Sequence, residues 1–185
     1  MSPTPEAKRV YLVRHAESEQ NVATRKLENG DLGALITVCR LGMDAQLSQA
    51  GQEQLEAAGK SMRSSGFADK HGVQLVVHSP LQRARDTAIA LFGGHPTLPP
   101  LLELPFMYER TPVEYLMPSL FDARINRICT WLAARPESVL VLVGHGQLWK
   151  RATHGPHLDN VGIMECTFNG SSLTAVKQHP NPAQT

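Results

Sequence analysis

Short apolar runs recur along the chain, and each one stops abruptly. Val10–Val13, Val73–Val77 and Val139–Val143 are bounded by polar residues, the pattern of strands buried on both faces of a sheet. Between them the period becomes helical. Ser48 is a good N-cap, Leu55, Ala58, Gly59 and Met62 then fall on one face, and the helix should close at Ser65-Gly66. Ser79-Pro80 predicts a second helix start, a side-chain cap followed by proline at the first helical position. That helix runs through Arg83 and Thr87 to about Phe92 and ends at Gly93-Gly94. Ile125, Ile128, Cys129 and Leu132 mark a third helix over Leu120–Ala134, and a fourth covers about Gln147–Thr153. Gly162–Phe168 and Leu173–Lys177 flank Asn169-Gly170-Ser171-Ser172 and read as a closing hairpin. Alternating strands and helices predict a three-layer α/β/α sandwich on a mostly parallel central sheet.

The remaining stretches are less regular. Glu17–Glu28 suits a short helix with poor apolar spacing, Leu101–Leu104 a short strand, and Pro105–Pro118 an irregular segment. Asn29–Asp44 holds Gly30, Gly33 and Gly42 around the apolar patch Leu35-Ile36-Thr37-Val38. It reads as a surface excursion, a lid or one wall of a site, with a small extra strand as the competing reading. Met1–Ala7 and His179–Thr185 have the composition of mobile tails. Neither an internal repeat nor an interior linker is visible, so residues 1–185 are expected to form one domain.

Composition narrows the class. With 42% apolar residues and a net charge of +1, the chain suits a globular protein and offers no overall attraction to nucleic acid or an anionic membrane. Cys39, Cys129 and Cys166 are odd in number and widely spaced, against a disulfide framework. There is neither a signal-peptide pattern nor an apolar run long enough to cross a bilayer, so a cytoplasmic setting is expected. Oligomeric state is not legible.

Chemistry appears where the strands stop. The first ends at Arg14-His15, the second leads through Ser79-Pro80 to Arg83, and the third ends at Gly144-His145-Gly146. If the strands are parallel, these endings share one sheet edge, where open α/β folds place their ligands. Two guanidiniums, two imidazoles and a helix N-terminus suit a dianionic phosphoryl group. Gly144 and Gly146 would let the backbone approach that anion. Nearby positive charge favours neutral His15, the form with a free lone pair. Such a pocket neutralises phosphoryl charge without requiring a metal or other cofactor.

These pieces resemble the histidine phosphatase superfamily, which includes the cofactor-dependent phosphoglycerate mutases. The matching segments are Leu12-Val13-Arg14-His15-Ala16-Glu17-Ser18 with Asn21, Ser79-Pro80-Leu81-Gln82-Arg83-Ala84 with Thr87-Ala88, and Val143-Gly144-His145-Gly146. Leu47-Ser48, Gly51 and Gln54 match more weakly. The resemblance implies a phosphoglycerate mutase-like fold. It implies His15 as the residue that becomes phosphohistidine, and Arg14, Arg83 and His145 as a phosphate clamp, with Asn21 as a further ligand. Ser18 either touches phosphate or caps the following helix. The family's acid, which protonates the leaving oxygen and then activates water, falls by position on Glu103, with Glu109 as the alternative. The Gly-x-Trp-Glu-Gly continuation is absent, and Leu102 and Leu104 around Glu103 break the Asn-Glu-Arg pattern of the mutases.

The resulting expectation is a metal-independent phosphomonoesterase on a small phosphorylated metabolite. A phosphomutase and a non-catalytic phosphate-binding module are the alternatives. His154-Gly155-Pro156-His157 is read as a solvated turn, since proline spoils helical ligand spacing. Lys150 and Arg151 are placed on an exposed helix face. The chain contains neither a Walker loop nor a Gly-x-Ser-x-Gly elbow.

Overall fold

The computed structural model describes residues 7–41 and 44–184. In chain order the elements are β1 (Lys8–Arg14), α1 (Glu19–Glu28), α2 (Ala34–Leu41), α3 (Gln49–Ser65), α4 (Phe67–His71), β2 (Leu75–His78) and α5 (Gln82–Phe92). They continue with β3 (Leu102–Glu103), α6 (Pro112–Leu116), α7 (Pro118–Ala133), β4 (Val139–Gly144), α8 (Gly146–Thr153), β5 (Ile163–Phe168) and β6 (Leu173–Gln178). One sheet has the order β3-β2-β4-β1-β5-β6, parallel from β3 through β1 and antiparallel across β5 and β6. The expected α/β/α sandwich is therefore present, with the hairpin closing one edge.

Both faces of the sheet are covered, which is why its strands read as unbroken apolar runs. Alternation along β1 sends Val10 and Leu12 into a core with Phe121, Ile128 and Leu132 of α7 and Trp149 of α8. Tyr11 and Val13 face the opposite core, with Ala58 and Met62 of α3, Phe67 of α4, and Ala88 and Leu91 of α5. Cys129 and Cys166 are buried free thiols. Among the described residues, no helix is long and apolar enough to cross a membrane.

Some local expectations hold and others change. Ser48 caps α3 by accepting from Gly51 N, and Gly66 closes the helix in the left-handed region (φ 58°). Ser79 does not cap α5, which starts at Gln82 without a side-chain cap. The Asn29–Asp44 excursion contains α2 rather than a strand; Val38 lines the cleft at the sheet's carboxyl edge, as expected of one wall, Leu35 and Ile36 stay exposed, and Gly42 and Met43 lie outside the described residues. Part of the irregular 105–118 segment forms α6, started by a reciprocal capping box between Thr111 and Glu114. The C-terminal segment is no free tail: His179 bonds Glu165 at 2.9 Å, and Asn181 Nδ2 donates to the Asn160 carbonyl at 3.0 Å. Met1–Glu6 and Thr185, the outer parts of the expected tails, lie outside the described residues.

Candidate active site

β4 follows β1 and β2 in the chain but lies between them in the sheet. The carboxyl ends of all three therefore open on one cleft, at the point where the connections diverge. Arg14 closes β1 and His15 follows it, Arg83 is the second residue of α5, and His145 stands between β4 and α8 as the N-cap. The chain separates these residues by up to 131 positions, yet Arg83 Nε donates to His15 Nε2 at 3.2 Å and the two imidazole centroids are 5.1 Å apart. Arg14, Arg83 and Glu109 line a cleft of about 960 Å³, with His15 and His145 almost fully buried behind that wall (1% and 0% exposed).

The hydrogen bonds define the state of His15. Its Nδ1 lies 2.6 Å from the Ala16 carbonyl, an oxygen that can only accept, so Nδ1 carries the proton. Nε2 consequently offers a lone pair, which takes the Arg83 N–H. Burial pushes the imidazole pKa well below its ordinary value, and the Arg83 guanidinium pushes the same way. His145 is held neutral mainly by burial as well. Its Nε2 is 2.8 Å from Ser79 Oγ, which also accepts from Leu81 N at 3.2 Å. Its Nδ1 is buried without a hydrogen-bond partner and lies 4.0 Å from Glu109 Oε2. Arg14 Nη1 donates to the Leu158 carbonyl at 2.8 Å, while its Nε is also buried and unpartnered. Unmet polar atoms of this kind, set on a cationic floor, fit an incoming group rich in acceptor oxygens.

The carboxyl beside the two histidines is Glu109 and not Glu103. Glu103 pairs with His78 on the edge strand β3, where it is exposed and does not line the cleft. The chain turns at Leu104–Met107 and returns, bringing Glu109 back to the cleft. Two strand spacings of about 4.8 Å separate β3 from β4, a gap the edge carboxylate does not span. Arg124 of α7 organises the return. It pairs with Glu114 at 2.7 and 2.8 Å and donates to the carbonyls of Phe106 and Tyr108 at 3.1 and 2.7 Å. Burial raises the Glu109 pKa against the opposing pull of the Arg110 N–H, Arg83 and Arg14.

Other expected site residues have mixed placements. Ser18 is buried as the N-cap of α1 in a capping box with Asn21, whose Oδ1 accepts from Ser18 N and Oγ, both at 3.1 Å. Asn21 still lines the cleft. Gly144 serves packing, since a Cβ there would lie 2.5 Å from the Trp149 ring, whereas a Cβ on Gly146 would lie 2.5 Å from His157 Nε2 and 3.2 Å from Arg14 Nε, both in the wall of the cleft. His157 lies exposed on the turn after α8, as expected of a solvated turn, and it also lines the cleft, with Nδ1 3.4 Å from Arg14 Nη1. No local periodicity flags His157 or Asn160; each is made relevant by the turn after α8. One atom each of His15, Glu109 and His145 lies within 4.8 Å of the others, a spacing a metal ion could use. The adjoining Arg14 and Arg83 guanidiniums make the place electropositive, which favours an anion over a cation.

Residues 10–111 match the model of the histidine phosphatase superfamily (branch 1). The chain belongs to that superfamily. Two relatives from Arabidopsis thaliana share part of it. Phosphoglycerate mutase-like protein 1 is 36% identical over 92 residues, 50% of this chain and 30% of that protein. Phosphoglycerate mutase-like protein 2 is 34% identical over 92 residues, 50% of this chain and 24% of that one. The match thus spans less than a third of either relative's length. Among solved histidine phosphatase folds, the phosphoserine phosphatase of Entamoeba histolytica superposes with a TM-score of 0.60 at 16% identity, covering 96% of this chain and 99% of that one. A mycobacterial glucosyl-3-phosphoglycerate phosphatase gives 0.59 at 19% identity, covering 91% and 97%. At such identities the likeness concerns the fold.

Proposed function

We propose that this member of the superfamily is a phosphomonoesterase of a small phosphorylated metabolite, working through a phosphohistidine on His15 without a metal in its chemical steps. The observation that carries the reading is the His15 imidazole: neutral, protonated on Nδ1, with its Nε2 lone pair beside Arg83. In the first step Nε2 attacks phosphorus, the bond from phosphorus to the ester oxygen breaks, and the Glu109 carboxyl gives its proton to the departing alcohol. Arg14, Arg83 and His145 neutralise charge on the equatorial oxygens. In the second step the Glu109 carboxylate takes a proton from water, whose oxygen attacks phosphorus as the P–N bond breaks. Inorganic phosphate leaves and neutral His15 is restored. The raised pKa of Glu109 supports its role as the proton donor.

Hydrolysis of an aryl phosphate with and without chelator, together with ³¹P detection of the phosphoenzyme in alkali, tests this. His15→Ala should lose activity by several orders of magnitude, on the order of 10⁴-fold. Activity retained in that variant would overturn the reading.

A phosphomutase is the second reading. With Glu109 as the acid, its surroundings are Tyr108-Glu109-Arg110, so two positions of the mutases' Asn-Glu-Arg pattern are present. The objection drawn from the leucines around Glu103 disappears. Transfer of label to a second hydroxyl instead of to water would favour the mutase.

A further inference from the structure

Three successive peptide units around the nucleophile are each held at both ends. In unit 13–14, the Val13 carbonyl accepts from Trp149 Nε1 at 2.9 Å and Arg14 N donates to Gly162 O at 3.1 Å. In unit 14–15, the Arg14 carbonyl accepts from Val161 N at 3.1 Å and His15 N donates to Gly144 O at 2.9 Å. Unit 15–16 is held differently, mainly by two side chains. Asn160 Nδ2 donates to the His15 carbonyl at 2.9 Å, and Ala16 N donates to Thr87 Oγ1 at 3.1 Å. Val161 N adds only a longer approach to His15 O, at 3.4 Å.

That unit joins the residue bearing the imidazole to the residue whose carbonyl receives the Nδ1 proton. Its orientation therefore sets the direction in which Nε2 points. The surroundings are built to hold it. Thr87 is fully buried, and its hydroxyl proton goes to Arg83 O at 2.7 Å, leaving its oxygen to accept from Ala16. The Asn160 carbonyl is in turn tied to Asn181. Val161, a fully buried β-branched residue, sits at φ 61°, a conformation such residues rarely adopt. This twist lets Val161 N reach the Arg14 carbonyl while the Asn160 side chain reaches the next one. Strain of this sort persists where surrounding contacts enforce it, and it clusters at functional sites.

We infer that Asn160 and Thr87 are positioning residues that clip the 15–16 peptide and aim His15 Nε2 at phosphorus. The inference rests on the phosphohistidine reading. Asn160 lies outside the segment that matches the family, and it acts from 145 positions away. Because the clip acts on the peptide that carries the nucleophile, it should govern the rate of phosphoenzyme formation more than affinity for the anion.

The test compares Asn160→Asp, Thr87→Val and Thr87→Ser with wild type, measuring kcat and KM on an aryl phosphate and inhibition by inorganic phosphate. Asn160→Asp sets an acceptor against the His15 carbonyl, and Thr87→Val removes the hydroxyl at constant volume. Each should lower kcat by about 10- to 100-fold, and in Thr87→Val, which adds no charge to the cleft, phosphate inhibition should stay within about threefold. Thr87→Ser restores the oxygen and should recover kcat to within about threefold of wild type. Unchanged kcat in both disruptive variants would overturn the inference. So would an unchanged kcat with a raised KM, or equal losses in the serine and valine variants. If Asn160→Asp does not fold, the Thr87 pair decides by the same criteria. Wild-type protein that hydrolyses nothing and forms no phosphohistidine would instead sink the underlying reading.

Discussion

Glu109 is the residue at which activity and stability should separate. Its carboxyl is partly exposed to the cleft (24%), yet burial raises its pKa. In the unfolded chain the group ionises in the ordinary carboxylate range, whereas in the folded chain it holds its proton to higher pH. Between those two values the folded state binds more protons, so stability is lost as pH rises through the folded pKa. Above that point the native state carries a desolvated carboxylate. Glu109→Gln removes this cost and keeps the shape. Taking a polar group out of water without full compensation costs about 1–3 kcal/mol, and partial exposure to the cleft keeps the expected gain at the lower end, about 1 kcal/mol. For a chain of this size that is an increase in Tm of about 2–4 °C at about pH 8. At about pH 3, below the ionisation of both the folded and the unfolded chain, the gain should vanish. The same substitution removes the proposed proton donor, so kcat on an alkyl phosphate should fall by about 10²- to 10⁴-fold. A nitrophenyl phosphate, whose leaving group departs without a proton, should be affected less in the first step. Thermal melts across pH and kcat on the two esters measure both effects, with Glu103→Gln as the control. Full activity in Glu109→Gln, or a comparable loss in Glu103→Gln, would refute the assignment. A gain in Tm that did not depend on pH would refute the electrostatic explanation.

Three further outcomes follow from the same geometry. His15 and His145 are buried neutral, with pKa values well below the ordinary one; the unfolded chain takes up those protons first, so their contribution to stability should decline as pH falls below about 6.5. Chemical denaturation of His15→Gln should show a weaker decline over that range than wild type. Arg124→Met leaves Glu114 buried without its cation and frees the Phe106 and Tyr108 carbonyls; a loss of about 3–5 kcal/mol is expected in denaturant titration. A Cβ on Gly51 would lie 1.9 Å from the Glu17 carbonyl oxygen; Gly51→Ala should therefore cost about 1–3 kcal/mol, measured as a shift in denaturation midpoint without a change in m-value.

The sequence alone determined the elements and the chemistry at their ends. Uninterrupted apolar runs such as Val10–Val13 require cover on both faces, which implies a parallel sheet between helical layers. Parallel strands then bring Arg14, Arg83 and His145 to one edge. The difference between Arg83, buried, and Arg85, exposed two positions later, follows from helical geometry alone. Tertiary structure decided everything that depends on how a loop returns. Ser79-Pro80 has the letters of a helix start, but its hydroxyl is more useful beside His145. Glu103 stands at a strand end like the other site residues, yet its strand lies at the sheet's edge, and the Arg124-held turn delivers Glu109 instead. His157 and Asn160 sit in a stretch without periodicity, where local spacing says nothing about direction. They reach Arg14 and His15 because the turn after α8 folds back over the end of β1. Periodicity encodes which face of an element is buried; long-range contacts between irregular segments are encoded only by the folded chain as a whole.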